Sequence, residues 1–259
     1  MNAWERWTAA GFAVGVLTLS AGVRVDAQAT APAVDPAALQ ILKSMTDYMD
    51  GLQQFSVTVQ STIEDLHGSG HRVDTDLRSQ VTVKRPNKLR AVRTGETMSQ
   101  SFYYDGKTLT LHVPAEKIYA TQSAPDTVEG AVTLARETIG IVFPAADLVY
   151  RKAYPLMTQD LTLAAVVGKA VVDGVSCHHL LFSRPGADFQ VWVEDGKRPL
   201  PRKYVVTETD TATLLSVGVV LSDWNEAPAV DDAQFTFVPP PGTSESRFIP
   251  YGTAAKSSR

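Results

Sequence analysis

Apolar and polar residues alternate with a period of two along much of this chain. The alternation first runs through residues 55–63 and recurs in residues 77–83. Because successive side chains of a β-strand point to opposite faces, this period predicts strands with one apolar and one polar face. Asp-Gly pairs at 105–106, 173–174 and 195–196 separate further apolar segments, and Asp-Gly in that position is a strong signal of a hairpin. The chain is therefore predicted to form a mainly antiparallel sheet.

Helical spacing replaces the period of two before the first strand and again in the middle of the chain. Asp35 followed by Pro36 is a typical helix start, with a side-chain cap and a proline at the first helical position, and apolar residues then recur on one face as far as Leu52. Residues 126–143 have the same spacing, and a second central helix is predicted for residues 145–154. The first of these central helices is rich in β-branched residues and glycine, so it is predicted to be weak on its own.

These patterns predict an α+β fold for residues 35–242. Its main element is a strongly curved antiparallel sheet of about ten strands, a half-open β-barrel, with the N-terminal and central helices covering the concave face. The polar segment 243–259 is predicted to be a flexible tail. Beyond the first two strands, the sheet is predicted to contain residues 89–93, 101–104, 109–113, 164–172, 176–183, 189–194, 203–207, 214–224 and 235–238.

The first residues of the chain predict export. A charged pair precedes an apolar run at residues 7–23, and small residues follow, which is the pattern of a signal peptide. The signal peptide is predicted as residues 1–27, and an Ala/Pro linker follows at residues 28–34. Because the single cysteine, Cys177, lies far from the cleavage site, no lipid-modified N-terminus is expected. No later segment supplies the roughly 20 apolar residues of a spanning helix, so the processed protein is expected in the periplasm without a transmembrane segment.

Charge and motifs argue against several classes of function. The net charge of −4 argues against nucleic acid as a partner and against general attraction to anionic membranes. The sequence has no Gly-x-Ser-x-Gly motif, and His178 and His179 point to opposite faces of a predicted strand. His67 and His71 lie in a Gly-Ser loop rather than on a helix, and Cys177 occupies a predicted buried strand position. No catalytic residue, metal or cofactor is expected, and an enzyme is not predicted.

Three motifs, spread over most of the predicted mature chain, resemble those of a known family. They are Val83-Lys84-Arg85-Pro86-Asn87, Asp105-Gly106-Lys107-Thr108-Leu109 and, far downstream, Phe235-Thr236-Phe237-Val238-Pro239-Pro240-Pro241-Gly242. In this order they resemble the periplasmic lipoprotein-carrier family, the LolA-like proteins. The stretch 124–163 is hard to match to that family, and segments 191–196 and 200–203 look more like wider relatives that bind lipids or membrane-stress signals.

The resemblance implies a periplasmic carrier or sensor that binds an apolar ligand, the acyl chains of a lipid or lipoprotein, between the sheet and a helical lid. Membrane-bound donor or acceptor proteins are further expected partners. In LolA-like carriers the arginine of the Lys-Arg-Pro-Asn motif hydrogen-bonds lid carbonyls and holds the cavity closed, and here that residue is Arg85. The predicted cavity-lining residues are Phe55, Val57, Val59, Val81, Val83, Leu109, Leu111, Ile139, Val142 and Phe143.

Two alternatives stay open at this point. Lys84 and Arg85 would, in the simpler case, only solvate the end of a strand, as basic pairs usually do. The same fold with a filled core would also serve as a periplasmic protein-interaction module that binds no ligand. An apolar cavity between sheet and helices favours the carrier, whereas a fully packed centre favours the interaction module.

Overall fold

The alternating segments form the strands of one large sheet. The computed structural model describes residues 33–95, 99–139 and 143–248, with the backbone alone at positions 138 and 139, and the predicted signal peptide lies outside these residues. Within them, twelve strands join in one sheet. They are β1 (Gln54–Leu66), β2 (Arg72–Lys84), β3 (Lys88–Gly95), β4 (Gln100–Tyr104), β5 (Thr108–Val113), β6 (Ile118–Ser123), β7 (Leu163–Val172), β8 (Val175–Arg184), β9 (Ala187–Glu194), β10 (Pro201–Glu208), β11 (Ser216–Asn225) and β12 (Ser244–Ser246).

The order of strands joins two meanders back to back. Across the sheet it is β12-β6-β5-β4-β3-β2-β1-β11-β10-β9-β8-β7. All pairs are antiparallel except β12 with β6, and the pairing of β1 with β11 joins the N-terminal and C-terminal halves. The sheet has β12 and β7 as its edges, so it is open rather than a closed barrel. The predicted α+β class with a curved, mainly antiparallel sheet is confirmed.

The first helix begins where the sequence predicts. α1 (Pro36–Gly51) is capped by Asp35, whose carboxylate accepts a hydrogen bond of 2.8 Å from the Ala37 N–H. Its buried residues include Leu42, Met45 and Met49, which belong to the same core cluster as the apolar face of the sheet. Since α1 contacts β7, β8 and β9, it covers the C-terminal half of the sheet.

The central helices are less regular than predicted. α2 (Val128–Leu134) begins after Thr127, whose Oγ1 accepts a hydrogen bond of 3.1 Å from the Gly130 N–H, and it continues as a π-helix, Ala135–Ile139. A 3₁₀ helix (Ala146–Val149) and α3 (Ala153–Thr158) replace the predicted helix 145–154. β-branched residues and glycine lower helix propensity, which accounts for short pieces in place of one long helix. We use "lid" below for α2, the π-helix and the 3₁₀ helix.

Three features of the sheet differ from the prediction. β6 was missed because its connection from β5 is a 3₁₀ turn, Pro114–Glu116, with Lys117 at φ 54°, and not an Asp-Gly pair. Residues 235–238 do not form a strand, because Asp231 caps a 3₁₀ helix, Asp232–Phe235, and the chain then crosses the polar face of the sheet. There Phe237 packs on the ring of Tyr103 at a centroid distance of 5.3 Å. The sheet also extends past residue 242, because β12 lies in the predicted tail.

The aromatic packing in the C-terminal half generates a stability prediction. Phe182 is fully buried and stacks on Phe189 at a centroid distance of 4.8 Å. We expect Phe182→Ala to lower the free energy of unfolding by about 3–5 kcal/mol, because a large cavity is left in a core that relaxes incompletely. Val171→Ala on the edge strand β7, where Val171 is 72% exposed, should change it by less than about 0.5 kcal/mol. Urea denaturation followed by circular dichroism measures both values, and equal losses in the two variants would contradict this description of the core.

Candidate functional site

The predicted cavity residues on the strands lie on one face of the sheet. Phe55 pairs with Val83, and Val57 pairs with Val81, in the register of β1 and β2. Phe55, Val57, Val59, Val83 and Leu109 are buried, whereas Val81 and Leu111 are partly buried and pack against the same core. Phe143 also packs against this core, at 4.8 Å from the ring of Phe102. For Ile139 only the backbone is described, and Val142 lies outside the described residues.

An apolar cavity of about 60 Å³ lies between this face and the lid. Of the predicted residues, Val57, Val59, Val81 and Phe143 line it, whereas Phe55, Val83, Leu109 and Leu111 belong to the packed core around it. The lining residues that the sequence did not single out include Leu89, Ala91, Arg93, Val132, Val149 and Leu221. The concave face is therefore mostly filled by side chains, with a small hollow where the lid meets β1, β2 and β3.

Arg93 brings a charged side chain into the wall of this cavity. It is buried, and its guanidinium lies 5.5 Å from the ring centroid of Phe102 and 5.9 Å from that of Phe143. Burial lowers the pKa of Arg93. The alternation in β3 contains a signal that would have found it, because Leu89, Ala91 and Arg93 occupy successive positions on the apolar face.

Two further hollows lie along the lid. One of about 200 Å³ shares Val132, Phe143 and Ala146 with the apolar cavity and reaches β10 and β11. A third, of about 330 Å³, lies between the lid, α3 and the strands β8 to β10. A separate trough of about 610 Å³ lies over β1, β2, β10 and β11, and polar and charged side chains line much of it. Its carboxylates include Asp76, which accepts a hydrogen bond from Thr62 at 2.6 Å, and Glu64, which pairs with Arg72 at 3.3 Å.

Arg85 lies at the end of β2, where the sheet, α1 and the lid meet. Its Nε donates to the Leu52 carbonyl at 3.2 Å, and its Nη2 donates to the Val149 carbonyl at 2.7 Å. Its Nη1 donates to Glu129 Oε1 at 3.3 Å. The side chain is only 1% exposed, and burial lowers the pKa of Arg85 while the charge of Glu129 raises it. Two lid elements, α2 and the 3₁₀ helix, thus bind to one guanidinium.

Neighbouring groups extend these contacts into what we call the Arg85 network. Glu129 Oε1 also accepts a hydrogen bond of 2.7 Å from the Arg151 N–H. Asp50 at the end of α1 accepts one of 2.8 Å from the Lys152 N–H, and the Pro86 carbonyl accepts one of 3.0 Å from the first N–H of α2. Lys84, the neighbour of Arg85, instead pairs with Asp232 on the polar face at 2.7 Å.

The other groups considered from the sequence have local partners. His67 and His71 both hydrogen-bond Ser69 Oγ, at 2.8 and 3.0 Å. His178 contacts Asp195 at 3.0 Å, whereas His179 hydrogen-bonds Gln190 at 2.8 Å. Cys177 is buried in β8, and burial raises the pKa of its thiol. Within residues 33–95, 99–139 and 143–248, no group of three or more His, Cys, Asp or Glu side chains has the arrangement of a metal site.

The start of the lid is tethered by a tyrosine. Tyr104 in β4 is fully buried, and its hydroxyl donates a hydrogen bond to the Pro125 carbonyl, two residues before the Thr127 cap. Burial is the main cause that raises the pKa of Tyr104 to about 12, and Asp126 adds to it. The folded protein therefore keeps the Tyr104 hydroxyl protonated, as its hydrogen bond to the Pro125 carbonyl requires.

Comparison with known proteins places the chain in a described family. A family model described as "Predicted periplasmic protein (DUF2092)" matches residues 38–249. No curated protein matches the sequence. Among the part of the chain that the structure describes, no helix is long and apolar enough to cross a membrane.

Three similar solved structures illustrate the structural comparison. An uncharacterised conserved protein from Thermus thermophilus has 10% identity and a TM-score of 0.48, over 82% of this chain and 99% of the other. LprF from Mycobacterium bovis has 15% identity and a TM-score of 0.47, over 77% and 97%. A LolA superfamily protein from Nitrosomonas europaea has 14% identity and a TM-score of 0.36, over 75% and 97%.

The Tyr104 tether generates a pH prediction. A phenol whose pKa is raised from about 10 to about 12 on folding stabilises the folded state fully below pH 10 and loses that contribution as pH rises to 12. We expect the protein to be more stable than Tyr104→Phe by about 1 kcal/mol at pH 7, the usual value of one hydrogen bond. This difference should shrink between pH 10 and 12. Urea denaturation of both proteins at several pH values measures it, and a pH-independent difference would contradict the assignment.

Proposed function

Because the chain belongs to the family of predicted periplasmic proteins (DUF2092), we propose that it is a periplasmic carrier or sensor that binds the acyl chains of a lipid or lipoprotein between its sheet and its lid. One observation carries the proposal: the lid lies over an apolar cavity, and the contacts that hold the lid to Arg85 are polar. Polar contacts of this kind can exchange for water when the lid moves. Opening also exposes the buried apolar side chains of the lid, such as Val132 and Leu148, and an entering acyl chain would cover that surface again.

The closed lid is the ligand-free form in this proposal. Sites for small molecules typically measure about 300–1,000 Å³, and the cavity of about 60 Å³ is too small for an acyl chain. Uptake therefore requires the lid to move away from β1, β2 and β3. Each buried methylene contributes about 0.8 kcal/mol, so an acyl chain would gain enough on entry to offset the loss of the lid contacts.

Arg85 is the residue that we assign to hold the lid closed. Its guanidinium contacts one carbonyl of the lid, at Val149, and one carboxylate of the lid, at Glu129. The third nitrogen, Nε, donates to the Leu52 carbonyl just after α1, so α1 is the fixed element against which the lid closes. Five donors in one plane suit this task, because one side chain reaches three acceptors on different elements.

We also assign processing and partners on the same basis. Residues 1–27 are removed on export in this proposal, and the mature chain starts within residues 28–32. No lipid is attached, because the single cysteine is Cys177 in the buried part of β8. Membrane-bound donor and acceptor proteins would load and unload the ligand. N-terminal sequencing and the intact mass of the exported protein measure these features, and a protein that begins at Met1 would contradict them.

A second candidate function is favoured by the small size of the cavity. With about 60 Å³ of space, the core is close to filled, which is what a protein-interaction module requires. Its contact surface would be the edge strand β7, where Val167 and Val171 are exposed. Native mass spectrometry of protein purified from the periplasm separates the two functions, since a carrier is expected to retain lipid and an interaction module is not.

The cavity generates a binding prediction. We expect a fluorescent long-chain fatty acid to bind the mature protein saturably, with non-fluorescent acyl compounds displacing it. Val57 is 1% exposed and lines the cavity, so Val57→Trp should fill the hollow and weaken binding at least tenfold. Val171→Trp is the matched control, because it adds the same indole to an exposed position of β7. Equal binding by both variants, with circular dichroism spectra like that of the unchanged protein, would place the ligand elsewhere.

The Arg85 network generates a second binding prediction. Hydrogen bonds to a charged group contribute roughly 1.5–3 kcal/mol each, so Arg85→Leu should populate the open lid and raise the apparent affinity and uptake rate for the probe about tenfold or more. Amide hydrogen exchange should become faster in residues 128–134 and 146–152 but not in β8 and β9. Lys84→Leu is the control, because Lys84 points to the polar face and pairs with Asp232. Unchanged uptake and exchange in Arg85→Leu would show that Arg85 does not hold the lid closed.

A further inference from the structure

The hollow of about 330 Å³ beside α3 is polar, unlike the cavity under the lid. Two arginines, Arg136 and Arg184, line it together with Asp147, Tyr150 and Tyr204. These residues come from five different elements or their ends: the π-helix, β8, the 3₁₀ helix, the residue that follows that helix, and β10. The hollow falls in the usual size range of ligand sites, about 300–1,000 Å³.

A hollow of about 200 Å³ lies between the polar hollow and the apolar cavity. The 200 Å³ hollow shares Arg136, Asp147, Tyr150 and Tyr204 with the polar hollow. It also shares residues of the 143–146 segment with the apolar cavity. The three hollows therefore lie in a row that is apolar under the lid and polar beside α3. This gradient matches an amphiphile whose acyl chain points toward the lid.

The hydroxyl of Tyr150 has no hydrogen-bond partner among the described residues. Tyr150 is 7% exposed, and its Oη is buried. A buried hydroxyl without a partner costs about 1–3 kcal/mol, and such a group in a native protein calls for a bound water, ion or ligand. Tyr150 lines both the 200 Å³ and the 330 Å³ hollow, so a ligand that fills them would pass this residue.

The two arginines retain donors for an anion. Arg184 Nη1 donates to the Leu156 carbonyl at 3.2 Å, and its guanidinium lies 5.6 Å from the ring centroid of Phe189. Arg136 is 54% exposed and contacts Glu137 at 3.8 Å, which is a weak, solvated pair. Since each guanidinium carries five N–H donors, these contacts leave most of them to a ligand. Asp147 is the single carboxylate among the described residues of the wall, so two positive charges face one negative charge there.

We propose that this polar hollow binds the oxyanion head group, phosphate or carboxylate, of the acyl ligand. Arg136 and Arg184 bind the negative charge, and the Tyr150 hydroxyl donates a hydrogen bond to one of its oxygens. Tyr204, which lies near both Asp147 and Arg184, closes the inner wall. This inference rests on the proposed function, because it assigns the head-group end of the same ligand.

The test compares head groups on one acyl chain. The mature protein is titrated with a lysophosphatidate, the corresponding fatty acid and the corresponding monoacylglycerol, all of one chain length and below their micelle concentrations. We expect at least one of the two oxyanion ligands to bind about tenfold more tightly than the neutral ligand. Tighter binding of either the lysophosphatidate or the fatty acid supports the inference.

Three variants assign the preference to this hollow. Arg136→Gln and Tyr150→Phe should each reduce the oxyanion preference severalfold and leave monoacylglycerol binding unchanged. Arg78→Gln is the matched control, because Arg78 is 56% exposed, pairs with Asp223 at 3.9 Å and does not line the polar hollow. Tyr150→Phe should not lower the urea midpoint, since it removes a buried hydroxyl that has no partner among the described residues.

The outcomes separate this inference from the proposed function. Absence of binding by all three lipids overturns the carrier itself. Binding of all three with equal affinity overturns the head-group pocket and leaves the carrier. An equal loss of preference in Arg78→Gln overturns the pocket, because it would assign the preference to general surface charge. A lower urea midpoint for Tyr150→Phe overturns the assignment of this hydroxyl to the ligand, because it would show that the hydroxyl is already satisfied, for example by water.

Discussion

The rest of the structure depends on how the apolar face of one twelve-stranded sheet is kept from water. Two kinds of helix cover it. α1 is a regular, capped helix of 16 residues that packs on β7, β8 and β9 through fully buried side chains. The lid is made of a seven-residue α-helix, a π-helix and a four-residue 3₁₀ helix, and it lies over β1, β2 and β3. Short helices gain little stability from their own hydrogen bonds, so the lid depends on its tertiary contacts more than α1 does.

Arg85 supplies contacts of a kind that suits a movable element. Burying its guanidinium costs desolvation energy, which appears as a lowered pKa, and hydrogen bonds to Leu52, Val149 and Glu129 offset that cost. If the lid opens, water replaces these bonds and the guanidinium regains its hydration. The net free energy of opening at this end is therefore smaller than the sum of the bonds broken. An apolar contact that stabilises the closed lid equally would gain no favourable interaction with water when the lid opens.

The sequence predicts the sheet well and the lid poorly, for physical reasons. Alternation and Asp-Gly pairs are local signals, and they place β1, β2, β5 and the hairpins of the C-terminal half correctly. The sequence does not predict β6, because the 3₁₀ turn before it, with Lys117 in the left-handed region, carries no such signal. Phe235 and Phe237 alternate as in a strand. However, Phe235 is buried at the end of a 3₁₀ helix, and Phe237 packs on the ring of Tyr103. The alternation in β3 places Arg93 on the apolar face, but which lid residues close the cavity over it is a tertiary property that no local pattern contains.

Residues 149–151 connect the three parts of the proposed mechanism. The Val149 carbonyl binds Arg85, the Val149 side chain lines the apolar cavity, and Tyr150 lines the polar hollow. The next N–H, that of Arg151, binds Glu129. A ligand that moves this short segment must therefore alter both the cavity and the Arg85 network. Coupling between two sites is reciprocal. If the head group binds more tightly to the open form, its binding shifts the lid toward opening by the same free energy.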